Sequence, residues 1–364
     1  MKHGKTLLHS FTAAFLALAF FCMLAPAAIA DDAEVTFKFA NYLPPQSIYS
    51  KTCEDFITDL ETRSNGRIKV RYFPGGTLLK APAMFKGIES GIADIGLSHI
   101  LYTPGRMPVM EAGEMPVGSP TGWVASQLMN DFYYKFRPKE FDGVHPLWFH
   151  ANSPAVLVTT KEIKSVDDLK GLSLRAPGRM GDLVAELGAA PTPTPIMETY
   201  SAISKGVIQG VLVGIDGLKS FRFAEVAKHT NTLNTVGLSY PFYVVMNKNA
   251  YAKIPADLKG MFDALCGEYR ERFALMWNST SFVGEKFGTE NGVAFSDSLE
   301  NDPRVRAAAE KVINDYIKTM VERGYDEAEV KGWIDYLRER SAYLVEKQKT
   351  LQIKTALGPK DLQP

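Results

Sequence analysis

The feature that most constrains the fold is a strand–helix alternation that stops and then starts again. Residues 35–97 read as strand, helix, strand, helix and strand, with the last strand expected over 92–97. A second run of the same kind covers residues 155–213 and ends in a strand expected over 207–213. Alternating strands and helices indicate mostly parallel sheets covered by helices. The sequence therefore predicts two similar α/β domains.

The chain changes to a helical pattern beyond residue 255. Apolar residues recur at helical spacing over 258–276, which predicts one long helix. Asp302 followed by Pro303 matches the N-cap and first position of a second helix, and Asp326 is expected to cap a third. We expect the aromatic residues of these helices to pack in the core.

The N-terminus has the pattern of a secretory signal peptide. Lys2 and Lys5 precede an apolar run over residues 11–24, and Ala28-Ile29-Ala30 forms a small-x-small cleavage site. A retained membrane anchor is the alternative, but the run is shorter than the ~20 residues that a spanning helix needs. We expect residues 1–30 to be removed, giving a periplasmic protein without stable membrane insertion.

Charge and cysteine content narrow the class of protein. The chain has 41 basic and 41 acidic side chains, so it lacks the basic surplus typical of nucleic-acid binding. Cys53 and Cys266 follow the signal peptide, and both lie on apolar helical faces. We expect two buried free thiols, with a disulfide as the alternative in an oxidising compartment. The histidines lack short ligand spacings, so neither a metal site nor a cofactor is predicted.

No catalytic motif stands out. The sequence has no G-x-S-x-G, no H-E-x-x-H, no P-loop and no G-x-G-x-x-G. His99, His145, His150 and His229 are scattered, and no pair of carboxylates is marked for acid–base chemistry. A secreted, two-domain α/β chain with these properties suggests a binding protein rather than an enzyme. The rival hypothesis is a secreted enzyme whose site has an unfamiliar pattern.

Several segments, taken in order, resemble the solute-binding proteins of tripartite ATP-independent periplasmic (TRAP) transporters, the family often called dicarboxylate-binding or DctP. The segments are 64–68 (SNGRI), 73–78 (FPGGTL), 91–95 (GIADI), 163–175 (IKSVDDLKGLSLR), 191–193 (PTP) and 198–202 (ETYSA). The resemblance implies an α/β, two-lobed periplasmic-binding-protein fold of the type II-like kind, with a long helix spanning both lobes. It also implies delivery of a bound solute to TRAP membrane permease subunits.

The resemblance also suggests how the chain is divided. Lobe I is expected to comprise residues 31–152 plus 240–280, and lobe II residues 153–239 plus 281–364. The chain is expected to cross between lobes near 152–153 and 237–240. Closure of such lobes over a ligand is a hinge motion.

Arg175 is the leading candidate for ligand binding. It ends the 163–175 segment at the position that resembles the family's carboxylate-binding arginine, and it directly precedes Ala176-Pro177-Gly178. Ligands of α/β sheets sit beyond the carboxyl ends of the strands. A guanidinium matches a carboxylate with two parallel hydrogen bonds. We therefore expect a small-molecule carboxylate ligand.

Three departures from the family pattern bear on the ligand. Val213 stands where a ligand-binding asparagine is common, and Ala155 stands where sugar-acid-binding members carry a second arginine. His99 stands at a cleft position that is often acidic in those members. A highly hydroxylated ligand would leave hydrogen bonds unmet against Val213, at about 1–3 kcal/mol each. These departures favour a monocarboxylate with an apolar or aromatic body.

The sequence offers further candidates for the cleft. Asp216 is expected either to meet a ligand amine or hydroxyl or to cap a helix, and Trp148 to lie either in the cleft or in the core. The candidate aromatic walls are Tyr42, Trp148, Phe149, Tyr240 and Phe242. Two alternative functions stay open. One is a C4-dicarboxylate-binding member, and the other is a sensory protein that passes its ligand-loaded state to a receptor.

Overall fold

The structure, a computed structural model, describes residues 35–364, so the expected signal peptide lies outside the described residues. In chain order the strands are β1 (Val35–Asn41), β2 (Ile68–Phe73), β3 (Ile95–His99), β4 (Val144–Ala151), β5 (Ala155–Thr159), β6 (Ser173–Arg175), β7 (Ala190–Thr192), β8 (Gly210–Gly214), β9 (His229–Asn231), β10 (Pro241–Asn247) and β11 (Ala294–Ser296). The α-helices are α1 (Ile48–Arg63), α2 (Met84–Glu89), α3 (Gly122–Phe136), α4 (Arg179–Glu186), α5 (Ile196–Ser204), α6 (Gly217–Ser220), α7 (Phe223–Val226), α8 (Lys248–Ala252), α9 (Lys259–Glu290), α10 (Pro303–Glu322) and α11 (Glu327–Thr350).

The strands form two separate sheets, each with parallel strands and one inserted antiparallel strand. The first has the order β2-β1-β3-β10-β4, and the second has the order β11-β9-β5-β8-β6-β7. In the first sheet β1 runs parallel to β2 and β3, while β10 is antiparallel to β3 and β4. In the second sheet β6 runs parallel to β7 and β8, while β5 is antiparallel to β8 and β9. The predicted pair of α/β units is confirmed.

The chain leaves the first sheet after β4 and returns to it at β10, so residues 152–154 and 232–240 run between the sheets. Gly237 in the second crossing has φ +54°, and the backbone of Gly118 and Ser119 lies only 2.4–2.5 Å from where a Cβ would stand. A side chain does not fit there. We call the halves built on the two sheets lobe I and lobe II. The residue boundaries given above for the lobes stay a prediction.

The long helix α9 joins both halves, as predicted. Its 32 residues correspond to a length of about 48 Å at about 1.5 Å per residue. It packs against α1, α3 and β4 in lobe I and against α6 in lobe II. Gly284 allows the contact with lobe II, because a Cβ there would come within 2.4 Å of the Ile215 carbonyl oxygen.

The C-terminal helices begin where their capping residues predict. The Asp302 side chain accepts a hydrogen bond from the Arg304 amide, and the Asp326 side chain accepts one from the Glu329 amide. Helix α10 contacts α4 of lobe II. Helix α11, which the predicted division places in lobe II, packs against α3 of lobe I, where Arg340 pairs with Asp131 at 2.7 Å. The C-terminal region therefore contacts both halves.

Two strands begin later than predicted, and for the same reason. Gly91 and Gly206 close the preceding helices with positive φ, and the next amides, of Ile92 and Val207, bond back to the carbonyls of Gly87 and Ala202. This C-cap geometry keeps the first apolar residue in the turn. β3 therefore begins at Ile95 and β8 at Gly210, and Val207 is left 67% exposed.

Cys53 and Cys266 are buried free thiols, as expected. Burial raises the pKa of the Cys53 thiol to about 12 and also raises the pKa of Cys266. Thiolates, not thiols, are the reactive species, so both side chains are unreactive in the folded protein. Within residues 35–364, none of the helices combines the length and the apolar character needed to cross a membrane.

Candidate ligand-binding site

A cavity lies between the lobes, at the ends of strands from both sheets. His99 ends β3, Arg175 ends β6, and Val213 is the next-to-last residue of β8. This is the place where α/β sheets bind ligands. The cavity measures about 40 Å³, whereas a single water needs roughly 10–15 Å³ on the same measure. Such a space favours a small ligand.

Arg175 is a buried cation in this cavity, 3% exposed. Its Nε donates to the Thr194 carbonyl at 3.0 Å, which fixes the guanidinium within lobe II. Its Nη2 lies 3.4 Å from the hydroxyl of Tyr102, a lobe I residue. Among residues 35–364, no carboxylate pairs with Arg175. A desolvated charge of this kind is costly unless it is paired, so the site is suited to an anion.

Aromatic rings from both lobes enclose the cavity. Tyr42, Tyr240 and Phe242, which the sequence analysis proposes as walls, all line it. The Tyr42 ring meets the Tyr102 ring edge-on at 5.5 Å, and the Phe242 ring stacks on Trp277 at 5.0 Å. Small-molecule pockets are commonly apolar with a few convergent polar groups, and this cavity has that character.

His99 lines the cavity as a neutral imidazole. Its ring lies 4.1 Å from the Phe242 ring and meets Tyr102 and Tyr240 edge-on. Burial, and next the charge of Arg175, hold its pKa well below the usual range. Its Nδ1 has no hydrogen-bond partner within the described part of the chain. His99 therefore adds hydrogen-bonding capacity to the site without adding charge.

Asp216 and Val213 lie on the lobe II side of the cavity. Asp216 stands at the N-cap position of α6, but its side chain makes no capping bond there. Its Oδ2 instead accepts a hydrogen bond from the hydroxyl of Tyr49, a residue of α1 in lobe I. Burial raises the pKa of Asp216 to about 6.

Val213 offers no polar group to a ligand. Ala155 is buried and pairs with Gly214 in the sheet.

Trp148 and Phe149, proposed as cleft walls, lie in the core instead. Successive strand residues face opposite sides of a sheet, and helices cover both sides of β4. The Trp148 ring packs 5.2 Å from Phe56 of α1 and 5.4 Å from Phe273 of α9. Phe149 packs on the other side, 4.7 Å from Tyr133 of α3. For Trp148, the core alternative is the one that the structure supports.

The sequence analysis missed several cavity residues, and they lie far apart along the chain. These are Leu43, Tyr49, Tyr102, Asn152, Ile196, Gly214, Phe221 and Trp277. Asn152 lies in the first crossing between the sheets, and its Oδ1 accepts from the Tyr240 amide at 2.5 Å. Trp277 comes from the long helix, where we expected core packing for every aromatic residue. Leu43 and Gly214 directly follow the candidates Tyr42 and Val213, and Tyr102 follows His99 by three positions, so these residues had a nearby signal.

A second contact joins the lobes outside the cavity. The Glu114 carboxylate of lobe I accepts a hydrogen bond from the Arg179 amide at the start of α4, at 3.2 Å. The Arg179 guanidinium lies 3.5 Å from the Glu111 carboxylate. Gly178 permits this approach, because a Cβ there would lie 2.7 Å from the Glu114 carboxylate. These residues therefore join the two lobes at a point outside the cavity.

This contact predicts a pH dependence of stability. Burial, and next the neighbouring Glu111 carboxylate, raise the pKa of Glu114 to about 8. An acid whose pKa is higher in the folded protein than in the unfolded chain binds its proton more tightly in the folded state. Its contribution to stability is therefore fully present below the unfolded pKa of about 4.3, and it is lost as pH rises through about 8. Glu114→Gln removes this ionisation. Its melting temperature relative to wild type should therefore increase between about pH 4 and pH 8 and stay level above about pH 8.

The matched control for this experiment is Glu290→Gln, which alters an exposed glutamate at the end of α9. Its melting temperature should follow wild type across the whole range. Taking differences between variants removes the contribution of other titrating groups, such as the buried histidines. Parallel pH profiles for wild type and Glu114→Gln would show that Glu114 is not the titrating group.

The comparison with known families identifies the fold and the class of protein. A family model of bacterial extracellular solute-binding proteins, family 7 (DctP), matches residues 39–321. The chain belongs to this family. Family 7 proteins are periplasmic solute-binding proteins, and the two-lobed α/β structure described above is the expected one.

Individual relatives agree with this assignment. A solute-binding protein of Albidiferax ferrireducens is 28% identical over 231 residues, covering 61% of this chain and 66% of the relative. The 2,3-diketo-L-gulonate-binding periplasmic protein of Escherichia coli is 26% identical, covering 71% of this chain and 82% of the relative. A marine metagenome TRAP solute-binding protein specific for aromatic acids, solved with 3-hydroxybenzoate, is 26% identical. It matches with a TM-score of 0.79, covering 85% of this chain and 98% of that one. Proteins similar to this chain thus bind quite different organic acids.

Proposed function

We propose that this family 7 protein captures a monocarboxylate with an apolar or aromatic body and delivers it to the membrane permease of a TRAP transporter. The observation that carries the proposal is Arg175, a buried guanidinium that has no carboxylate partner within the described chain and lies among aromatic rings. The ligand carboxylate would complete this ion pair with two parallel hydrogen bonds. The solved aromatic-acid-binding relative supports the same ligand class.

The charges of the cavity argue against a dicarboxylate. Among the described residues that line it, Arg175 is the one cation, because His99 is neutral. Asp216 would repel a second ligand carboxylate unless one of the two groups took up a proton. A buried charge without a partner is strongly unfavourable. A single carboxylate matches the single guanidinium.

The walls of the cavity argue against a sugar acid. Val213 and Phe242 cannot satisfy sugar hydroxyls, and the Tyr240 hydroxyl already donates to the Leu212 carbonyl. Each buried hydroxyl left without a partner costs about 1–3 kcal/mol. An aromatic or branched body instead gains contact with the rings.

Delivery to a permease is supported by membership of the family. The predicted signal peptide, with a mature chain beginning at Asp31, would place the protein in the periplasm. The alternative is a sensory protein that presents the ligand-loaded closed form to a receptor. Loss of ligand uptake on deletion of the TRAP permease genes of the source bacterium would favour transport, whereas unchanged uptake would favour sensing.

The proposed ligand class predicts a selective thermal shift. A panel of benzoate, phenylacetate, mandelate and isovalerate would be compared with succinate, malate and galacturonate. A ligand at 100 times its Kd adds about 2.7 kcal/mol of apparent stability. We expect the aryl or branched monocarboxylates to raise the melting temperature clearly. Mass spectrometry of small molecules that copurify with the protein gives an independent check. A shift with succinate or galacturonate alone would contradict the proposed ligand class.

A further inference from the structure

Asp216 is a buried carboxylate that is only half satisfied by the protein. It is 5% exposed and lines the cavity beside Val213. Its Oδ2 accepts from the Tyr49 hydroxyl, while its Oδ1 has no hydrogen-bond partner among residues 35–364. Buried polar atoms are nearly always hydrogen-bonded, so an exception calls for an explanation.

Apart from the Tyr49 hydrogen bond to Oδ2, the local structure within the described residues gives Asp216 no partner that would account for the buried Oδ1. Its side chain does not cap α6, although it stands at the N-cap position. Lys219 is the nearest basic residue along the chain, and no ion pair joins the two in the described structure. At the other end of the same cavity, Arg175 is free to pair with a carboxylate. The cavity thus combines an anion-binding group with a separate group that only accepts hydrogen bonds.

We propose that the ligand held at Arg175 carries a hydroxyl or ammonium group on its apolar body, and that this group donates a hydrogen bond to Asp216 Oδ1. Asp216 then selects hydroxylated or aminated monocarboxylates over unsubstituted ones. This inference rests on the proposed function, because it takes the ligand carboxylate to be bound by Arg175.

The selectivity follows from the chemistry of the two alternatives. An ionised carboxylate accepts hydrogen bonds and cannot donate them. A ligand hydroxyl satisfies Oδ1, whereas a methyl group of the same size leaves Oδ1 desolvated and unpaired. Hydrogen bonds to charged groups contribute enough for about a tenfold to hundredfold difference in affinity. The Asp216 pKa of about 6 means that the carboxylate is ionised at pH 8, which is the pH chosen for the test.

The experiment is isothermal titration of the mature protein with size-matched pairs of acids. The hydroxyl arm compares 3- and 4-hydroxybenzoate with 3- and 4-methylbenzoate. The ammonium arm compares 3- and 4-(aminomethyl)benzoate with the corresponding ethylbenzoates. In wild type, the hydroxyl- or ammonium-bearing acid of at least one pair should bind at least tenfold more tightly than its apolar partner. The arm that shows this preference identifies the donor group.

Two variants test whether Asp216 causes the preference. Asp216→Ala removes the acceptor and should bring the paired affinities within about threefold of each other. Asp216→Asn keeps the shape of the side chain but loses its charge, so it should reduce the preference for donor-bearing acids. This variant also serves as the test if the alanine variant does not fold. Asp315→Ala, at an exposed position of α10, is the control and should keep the wild-type preference.

The outcomes separate this inference from the proposed function. Equal affinities for the donor-bearing and apolar acids in wild type would overturn the role of Asp216 and leave carboxylate binding intact. A preference that persists undiminished in both Asp216 variants would overturn it as well. Failure of every acid to bind would refute the proposed function, and the inference would fall with it.

Discussion

Arg175→Ala should lower the affinity for the panel acid that binds most tightly by about 30-fold to several-thousand-fold. The variant removes the buried partner of a ligand carboxylate, and breaking such a desolvated pair costs about 2–5 kcal/mol. Folding should survive, because Arg175 lies beside the cavity and has no carboxylate partner within the described residues that would be left unpaired. The measurement is isothermal titration, with each variant's melting temperature recorded alongside.

Arg175→Lys separates charge from geometry. Lysine keeps the positive charge but loses the planar fork that forms two parallel hydrogen bonds. It also loses the Nε donor that bonds the Thr194 carbonyl. We therefore expect partial recovery of affinity. Arg338→Ala, an exposed arginine of α11 that pairs with Glu310, is the control and should bind like wild type. Unchanged affinity in Arg175→Ala would remove the carboxylate assignment from this site.

Features set by neighbouring residues were predictable from the sequence. The Asp302 and Asp326 side chains cap the helices that begin next to them. Each of these signals needs only residues within one turn. The starts of β3 and β8 were predicted too early because Ile92 and Val207 are apolar. Apolar character alone does not distinguish a strand residue from one that follows a helix-closing glycine.

The candidate site was predictable only in part. Arg175 could be proposed because it ends a strand within a family-like segment, and Tyr240 could be proposed because it lies at a crossing between the lobes. Trp277 and Phe273 lie one turn apart on α9, yet Trp277 lines the cavity while Phe273 packs on Trp148. Helical periodicity places both on the same face. Which of them meets the cavity depends on where α9 crosses β4, and that is set by tertiary packing.

Trp148 provides a direct test of the boundary between core and cavity. Trp148→Ala should lower the free energy of unfolding by about 3–5 kcal/mol, the range for large aromatic truncations in a core. Trp148 is 1% exposed and packs against α1 and α9. Chemical denaturation gives the stability, and titration of the folded variant gives the ligand affinity. We expect that affinity to stay within about threefold of wild type.

Two companion variants sharpen this test. Trp148→Phe should be much less destabilising, because it retains a ring and removes an indole N–H that has no acceptor within the described chain. Tyr343→Ala truncates an aromatic that is 53% exposed and should change stability by no more than about 0.5 kcal/mol. A large loss of ligand affinity in Trp148→Phe at nearly unchanged stability would show that the indole reaches the ligand. Strand β4 would then contribute a wall of the site, and Trp148 would belong to the cleft rather than the core.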